Sequence, residues 1–358
     1  MTRAKLRELL WQAVVGGEEY AAVGVLEDAL SDGLDEEALL LDVIAPVQAK
    51  VGVEWAADRL TVAQEHAATA INERAMAAVA RHRRDRRPRA VRQGRVTVSC
   101  VDGEWHAFPA RLVAETLWLR GWQVDYLGAQ TPTEHLIAHL HATDPNVVLL
   151  SGSIPTHLPS AHAAITACQA VGVPVMAGGR AFGADGRHAR CLGADAWAPD
   201  ARGAADVLEA GVSRPGPATV RQVVDDLPHL ADQEYTLVTR TRGQLVKQTL
   251  VDLEKRFPAI RSYTGVQRER TAEDLAHIVD FLATALYVDD PELFQSFLGW
   301  TADILTARHV PTRSLVAALH LLTEQLHDFS RALAMLQRGA AALARHACDP
   351  VPDPDPDA

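Results

Sequence analysis

Three short stretches of this sequence concentrate residues able to do chemistry, and each one ends an apolar run. Asp102-Gly103-Glu104-Trp105-His106 follows VTVSCV, Ser151-Gly152-Ser153 closes NVVLLSG, and Gly178-Gly179 closes VPVMAGG. A neutral imidazole is a common metal ligand, and Glu104, two residues from His106, is placed to orient that ring or raise its basicity. Ser151 and Ser153 offer hydroxyls to a buried polar atom. The glycine pair removes side chains, so a flat or elongated group can lie against the backbone. Singly each signal is weak, because a loop histidine is most often just solvated and a glycine pair most often just a turn. Their weight comes from converging on one place.

The elements that must bring them together are legible in the pattern. Residues 95–211 alternate short β-branched or apolar runs (VTVSCV, WQVDYLG, NVVLLSG, VPVMAGG, ADAWAPD) with helical stretches near 109–120, 133–141, 160–170 and 185–191. This predicts βα units around a parallel sheet of about five strands, a Rossmann-like (flavodoxin-like) domain over residues 94–212. Ligands of such sheets bind beyond the carboxyl ends of the strands, where all three stretches fall. Residues 1–87 read as helix throughout, with breaks at Gly16-Gly17, Ser31-Asp32-Gly33 and residues 58–61, and predict a bundle of four short helices. Thr61 and Gln64 form a capping pair at the start of the last one.

Beyond a Pro/Gly connector at residues 213–228, residues 232–346 predict an all-helical domain punctuated by Pro258, Pro291 and Pro311. The tail, 347–358, is too acidic and proline-rich to pack and is expected to be disordered. The fold class is therefore multidomain, α and α/β. The arginine-dense stretch at 81–95 reads as a solvated helix end and linker, since the chain of 358 residues carries a formal net charge of −11 and no DNA-reading module. No nucleic acid partner is expected. No run of about 18 apolar residues predicts a membrane span, and the first residues lack a signal peptide's apolar stretch. Cys100, Cys168, Cys191 and Cys348 form no CxxC pair or disulfide framework, which suits a reduced cytoplasm.

The stretches at the strand ends together resemble the corrinoid-binding domain, whose pattern is Asp-x-His-x-x-Gly, then Ser-x-Leu, then Gly-Gly. The resemblance implies that His106 coordinates the cobalt of cobalamin from below, displacing the cofactor's own base. It also implies that the nucleotide tail threads past Ser151 and Gly178-Gly179. Glu104 stands where that family has Asp, Pro109 where it has Gly, and Ser153 where it has Leu. Proline fills space that glycine leaves open, which puts tail contacts near Pro109 in question.

In the helical segment before this domain, Trp55 followed by Glu65-His66 resembles the upper-face motif of light-sensing cobalamin repressors of the CarH type. There the tryptophan packs where the adenosyl group sits and the Glu-His pair contacts the adenosyl side. The resemblance covers residues 1–212. It departs at Ala56, where those repressors carry a histidine, and no counterpart of their DNA-binding helices is expected. It implies adenosylcobalamin as cofactor, with Trp55, Glu65, His66, Glu104, His106, Ser151, Ser153, Gly178 and Gly179 around it. The order of cap, corrinoid domain and helical domain is similar to that of photocobilins, which pair cobalamin with a bilin in a globin-like domain. That likeness implies biliverdin in residues 232–346, held noncovalently since no cysteine lies in that helical core; a dimerisation or docking bundle is the alternative. His320, Glu324 and His327 are expected on one helix face, where a metal or a plain solvated surface accounts for them equally. The chain is read as a sensor rather than an enzyme, a homo-oligomer with a downstream signalling partner. A corrinoid protein carrying methyl groups between methyltransferases is the alternative, and a mutase is not expected, since no segment here is long enough for a barrel of about 250 residues.

Overall fold

A computed structural model of the chain describes residues 1–86, 93–214, 227–257 and 264–346. They form two compact units, one up to Asp226 and one from Leu227. Residues 87–92 of the arginine-dense stretch, most of the connector and the whole acidic tail lie outside the described residues.

The first unit begins with helices α1 (Arg3–Val15), α2 (Glu19–Ser31), α3 (Glu36–Leu39), α4 (Ala45–Ala56) and α5 (Val62–Arg86). Helices α3 and α4 are one rod joined by a π-helical turn, Leu40–Ile44. Pro46 has no N–H for the oxygen four residues back, and the wider turn just before it, closed by the Ala45 N–H on the Leu40 carbonyl, absorbs that defect. The bundle thus has four rods, as its sequence implies, but α5 is a 25-residue helix rather than a short one. Its start is fixed by the capping pair: the Gln64 N–H donates to Thr61 Oγ1 at 3.2 Å, and the Thr61 N–H donates to Gln64 Oε1 at 2.9 Å.

The sheet follows, with β1 (Arg95–Cys100), β2 (Gln123–Gly128), β3 (Val147–Ser151), β4 (Val175–Gly178) and β5 (Ala196–Ala198) in the order β2-β1-β3-β4-β5. Every pairing is parallel, with Cys100 opposite Ser151 and Ser151 opposite Gly178. Helices α6 (Ala107–Leu119), α7 (Thr133–Thr143), α8 (Leu158–Ala170), α9 (Arg187–Cys191) and α10 (Ala201–Ala210) make the crossovers and the last flank. In this order the chain reverses its winding between β1 and β3, so a crevice opens at their carboxyl ends.

Bundle and sheet domain share a core. Phe108, Leu112 and Leu119 of α6 belong to the same buried cluster as Leu6, Leu10, Leu39, Leu40 and Met76 of the bundle. Ion pairs reinforce the seam: Arg120 to Glu37 at 2.8 Å and Arg202 to Asp42 at 2.9 Å.

The second unit is all-helical, with α11 (Glu234–Arg256), α12 (Gly265–Val288), α13 (Pro291–Ala307), α14 (Arg313–Gln325) and α15 (Ser330–His346). Leu282, Leu286, Phe294, Leu298, Leu319, Leu322 and Leu336 are buried in it. Buried Glu234 ties its first helix to its last, accepting the Arg331 and Ala332 N–H groups at 3.1 and 2.8 Å. Such a carboxylate satisfies the open donors of a helix start. The expected shared face of His320, Glu324 and His327 is not formed. Helix α14 ends at Gln325, and His327 beyond it turns back onto the Glu324 carbonyl at 2.9 Å. Among the described residues no group of three or more His, Cys, Asp or Glu side chains is disposed to hold a metal, and no helix is long and apolar enough to cross a membrane.

Candidate functional site

The loop after β1 is built around Glu104. Its side chain is fully buried, yet every lone pair is used. Oε1 accepts the His106 N–H at 2.9 Å and the His106 ring at Nδ1 at 2.5 Å; Oε2 accepts the Ser153 and Ile154 N–H groups at 2.7 and 2.9 Å. Burial, the largest single influence, pushes its pKa up, but these four hydrogen bonds outweigh it and hold the carboxyl down at about 2. Glu104 is therefore ionised, and it clamps the β1 loop to the β3 loop across the crevice.

An ionised carboxylate can only accept, so the proton of a neutral His106 sits on Nδ1 and the lone pair on Nε2 is left for another partner. The ring is about one-third exposed. Trp105 stacks on it with ring centroids 4.0 Å apart and is 54% exposed, unusual for a tryptophan with no protein cover. The thiol of Cys100, behind the loop, is pushed up by burial and by Glu104 to about 12, so it stays protonated and is no rival metal ligand.

The bundle meets this loop. The His66 ring lies 6.3 Å from Trp105, and His66 Nδ1 is 2.6 Å from Glu65 Oε2. Thr69 donates to Glu65 at 2.9 Å and in turn accepts from Gln48 of α4 at 2.8 Å, so the Glu65-His66 pair is held from the neighbouring helix. Trp55 stands one residue before the end of α4, half-buried against the bundle's core.

Beneath the strand ends lies a cavity of about 360 Å³, within the size range of small-molecule sites. Ser151, Ser153, Gly178 and Gly179 line it, with an apolar floor from Val98, Leu149, Met176 and Ala177. Pro109 lines it too, so the proline narrows the space without closing it. Gly179 adopts φ +97°, and a Cβ there would sit 2.4 Å from the Gly152 carbonyl oxygen; only glycine lets the β3 and β4 loops approach this closely. A deep, mostly apolar slot beside a partly exposed, oriented imidazole fits a corrinoid, whose metal would meet the imidazole and whose aromatic tail base would suit the apolar slot.

Several contributors were not assigned from sequence. Trp105, Arg180, Asp200 and Arg202 lie at the site, and Leu41 and Ala45 reach the cavity from the bundle. Trp105 alone carried a usable signal, an aromatic inside a polar loop.

Comparison with known proteins defines the class. The B12 binding domain family matches residues 94–208, and a second B12 binding domain model matches residues 6–80. The first unit thus matches two adjoining B12 binding domain models, a helical one and, after it, one with the Rossmann-like fold of corrinoid proteins. Among curated proteins, the chain is similar to the HTH-type transcriptional repressor CarA of Myxococcus xanthus, 31% identical over 147 residues, covering 41% of this chain. The matched region spans about half, 48%, of that repressor's length. Among solved structures, the monomethylamine corrinoid protein of Methanosarcina barkeri is matched over its whole length and 58% of this chain, with a TM-score of 0.50 and 20% identity, a likeness of fold alone. A cobalamin-binding protein from Desulfitobacterium hafniense DCB-2 matches over 58% of this chain and 98% of its own at 20% identity, with a TM-score of 0.32.

Proposed function

We propose that this chain is a cobalamin-dependent light sensor, not an enzyme, holding adenosylcobalamin between its helical cap and Rossmann-like domain with Nε2 of His106 as lower cobalt ligand. The observation that carries the reading is the opposition of the cap's Glu65-His66 to the Trp105-His106 loop, with rings 6.3 Å apart across the seam. A methyl carrier has no evident need of Trp55 and this pair above its histidine. Bound adenosylcobalamin would supply a cobalt–carbon bond that light breaks.

The chain's own residues do the rest. Glu104 holds the His106 proton on Nδ1 and keeps Nε2 aimed outward; Ser151, Ser153 and the Gly178-Gly179 backbone line the slot for the tail. Trp55, Glu65 and His66 shield the upper side from water. Because the cap rests on α6 through Phe108 and Leu112, a change in what its upper residues touch alters domain or oligomer contacts. That change is the output, read by a second copy or a downstream signalling protein in the cytoplasm. We further assign a noncovalent biliverdin to the C-terminal helical unit, on the likeness of domain order alone.

The test is absorbance and sedimentation of the purified protein, dark and illuminated, with adenosylcobalamin and biliverdin each added. A cobalamin spectrum that changes irreversibly, with altered sedimentation, supports the sensor, and a bound far-red band supports the bilin. A light-insensitive protein that retains methylcobalamin in preference to adenosylcobalamin overturns it in favour of the carrier.

A further inference from the structure

We infer that Arg180 recognises the phosphate of cobalamin's nucleotide tail and so makes the site select complete cobalamins over tail-less corrinoids, an inference that rests on the cobalamin reading above.

The cavity under the strand ends is apolar over most of its wall, which suits an aromatic base but not the phosphodiester that joins the base to the macrocycle. A phosphate entering such a slot needs fixed donors or a positive charge at its mouth. The polar groups that line the cavity are Ser151, Ser153, Arg180, Asp200 and Arg202. Two of the charged ones are already engaged. Arg202 pairs with Asp42 at 2.9 Å and Glu37 at 3.4 Å, and Asp200 accepts the Gly203 N–H at 2.8 Å as the cap of α10. The Ser153 N–H is spent on Glu104, leaving its hydroxyl. Arg180 has no carboxylate partner among the described residues.

Its backbone is also held. Gly179 before it is packed against Gly152, the Ala181 N–H donates to the Gly152 carbonyl at 3.0 Å, and Phe182 after it is fully buried. An arginine whose head is exposed while both neighbours are anchored presents its guanidinium from a fixed point on the rim. Its planar fork matches two phosphate oxygens at once, which a lysine's point charge does not.

The experiment is a titration of parent, Arg180→Ala and Arg180→Lys with hydroxocobalamin and with diaquocobinamide, which lacks the nucleotide tail, followed by tryptophan fluorescence and equilibrium dialysis. The parent is expected to bind hydroxocobalamin more tightly than diaquocobinamide. Arg180→Ala should weaken hydroxocobalamin about tenfold, a loss of about 1.4 kcal/mol. Diaquocobinamide should stay within about twofold, and the salt dependence of hydroxocobalamin binding should become shallower. Arg180→Lys should fall between. Equal losses for both corrinoids, no loss for either, or a parent that does not distinguish them overturns the role of Arg180 while leaving cobalamin binding intact. A parent that binds neither overturns the cobalamin reading and this inference with it. Unchanged urea unfolding of both variants separates recognition from folding, since the side chain is at the surface.

Discussion

Glu104→Gln tests the centre of the site. The carboxylate accepts four hydrogen bonds from two loops while fully buried, and its pKa falls from an ordinary 4.5 to about 2. At about 1.4 kcal/mol per pKa unit, that displacement corresponds to about 3 kcal/mol of folding stability carried by the ionised form. Because the folded-state value lies below the ordinary one, this stabilisation is fully present above about pH 4.5 and is lost as the pH falls toward 2. A glutamine places an amide donor against N–H groups that need acceptors, so the loops lose their clamp and a buried donor is left unpaired. Urea unfolding at pH 7 should move to a midpoint lower by about 1 M, taking an urea dependence of about 3 kcal/mol per M. Between pH 4.5 and 3 the parent should lose stability faster than the variant. In the flipped orientation the amide keeps its oxygen on the Ser153 and Ile154 N–H groups and instead turns its donor to His106, which draws the ring's proton to Nε2 and hides the free lone pair. Hydroxocobalamin affinity should therefore fall by about 10–100-fold. A variant with the parent's urea midpoint and the parent's acid slope would refute the clamp, however it bound corrinoids.

Other substitutions separate the remaining parts. His106→Ala should abolish the spectrum of imidazole-ligated cobalamin while leaving unfolding within about 1 kcal/mol, since the ring is partly exposed; an unchanged spectrum would remove His106 as ligand. Gly179→Ala forces a Cβ to 2.4 Å from the Gly152 oxygen at φ +97°, and should cost about 1–3 kcal/mol in thermal unfolding as the two loops part. A melting curve coincident with the parent's would show that the loops yield freely. Phe108→Ala, at the seam of cap and sheet domain, should cost about 3–5 kcal/mol and raise the protease sensitivity of the cap relative to the sheet domain. Equal sensitivity of both would argue against a seam that can open separately.

Much of this arrangement could be read from the chain because the signals involved are local. Strand ends, helix starts and the Thr61-Gln64 cap depend on residues a few positions apart, and the three motifs fall at strand ends by periodicity alone. The π turn before Pro46 was not legible, since a proline near a helix start is ordinary and only the continuity of α3 with α4 makes it a defect. The face expected for His320, Glu324 and His327 failed for a similar reason. No glycine or proline marks the end of α14, and the chain leaves the helix at Gln325.

The amino-acid sequence alone determined the order of elements, the parallel sheet and which loops would meet at its edge, because hydrophobic period and turn residues act over short distances and strand ends share one side. Only the tertiary structure decided what those loops do to each other. That Glu104 serves Ser153 and Ile154 as well as His106, that Leu41 and Ala45 of the cap reach the tail cavity, and that Arg202 is engaged by Asp42 while Arg180 is not, are matters of pairing across long stretches of chain. Many carboxylates could neutralise a given arginine, and sequence does not rank them. Close packing in three dimensions does, by bringing only a few within reach.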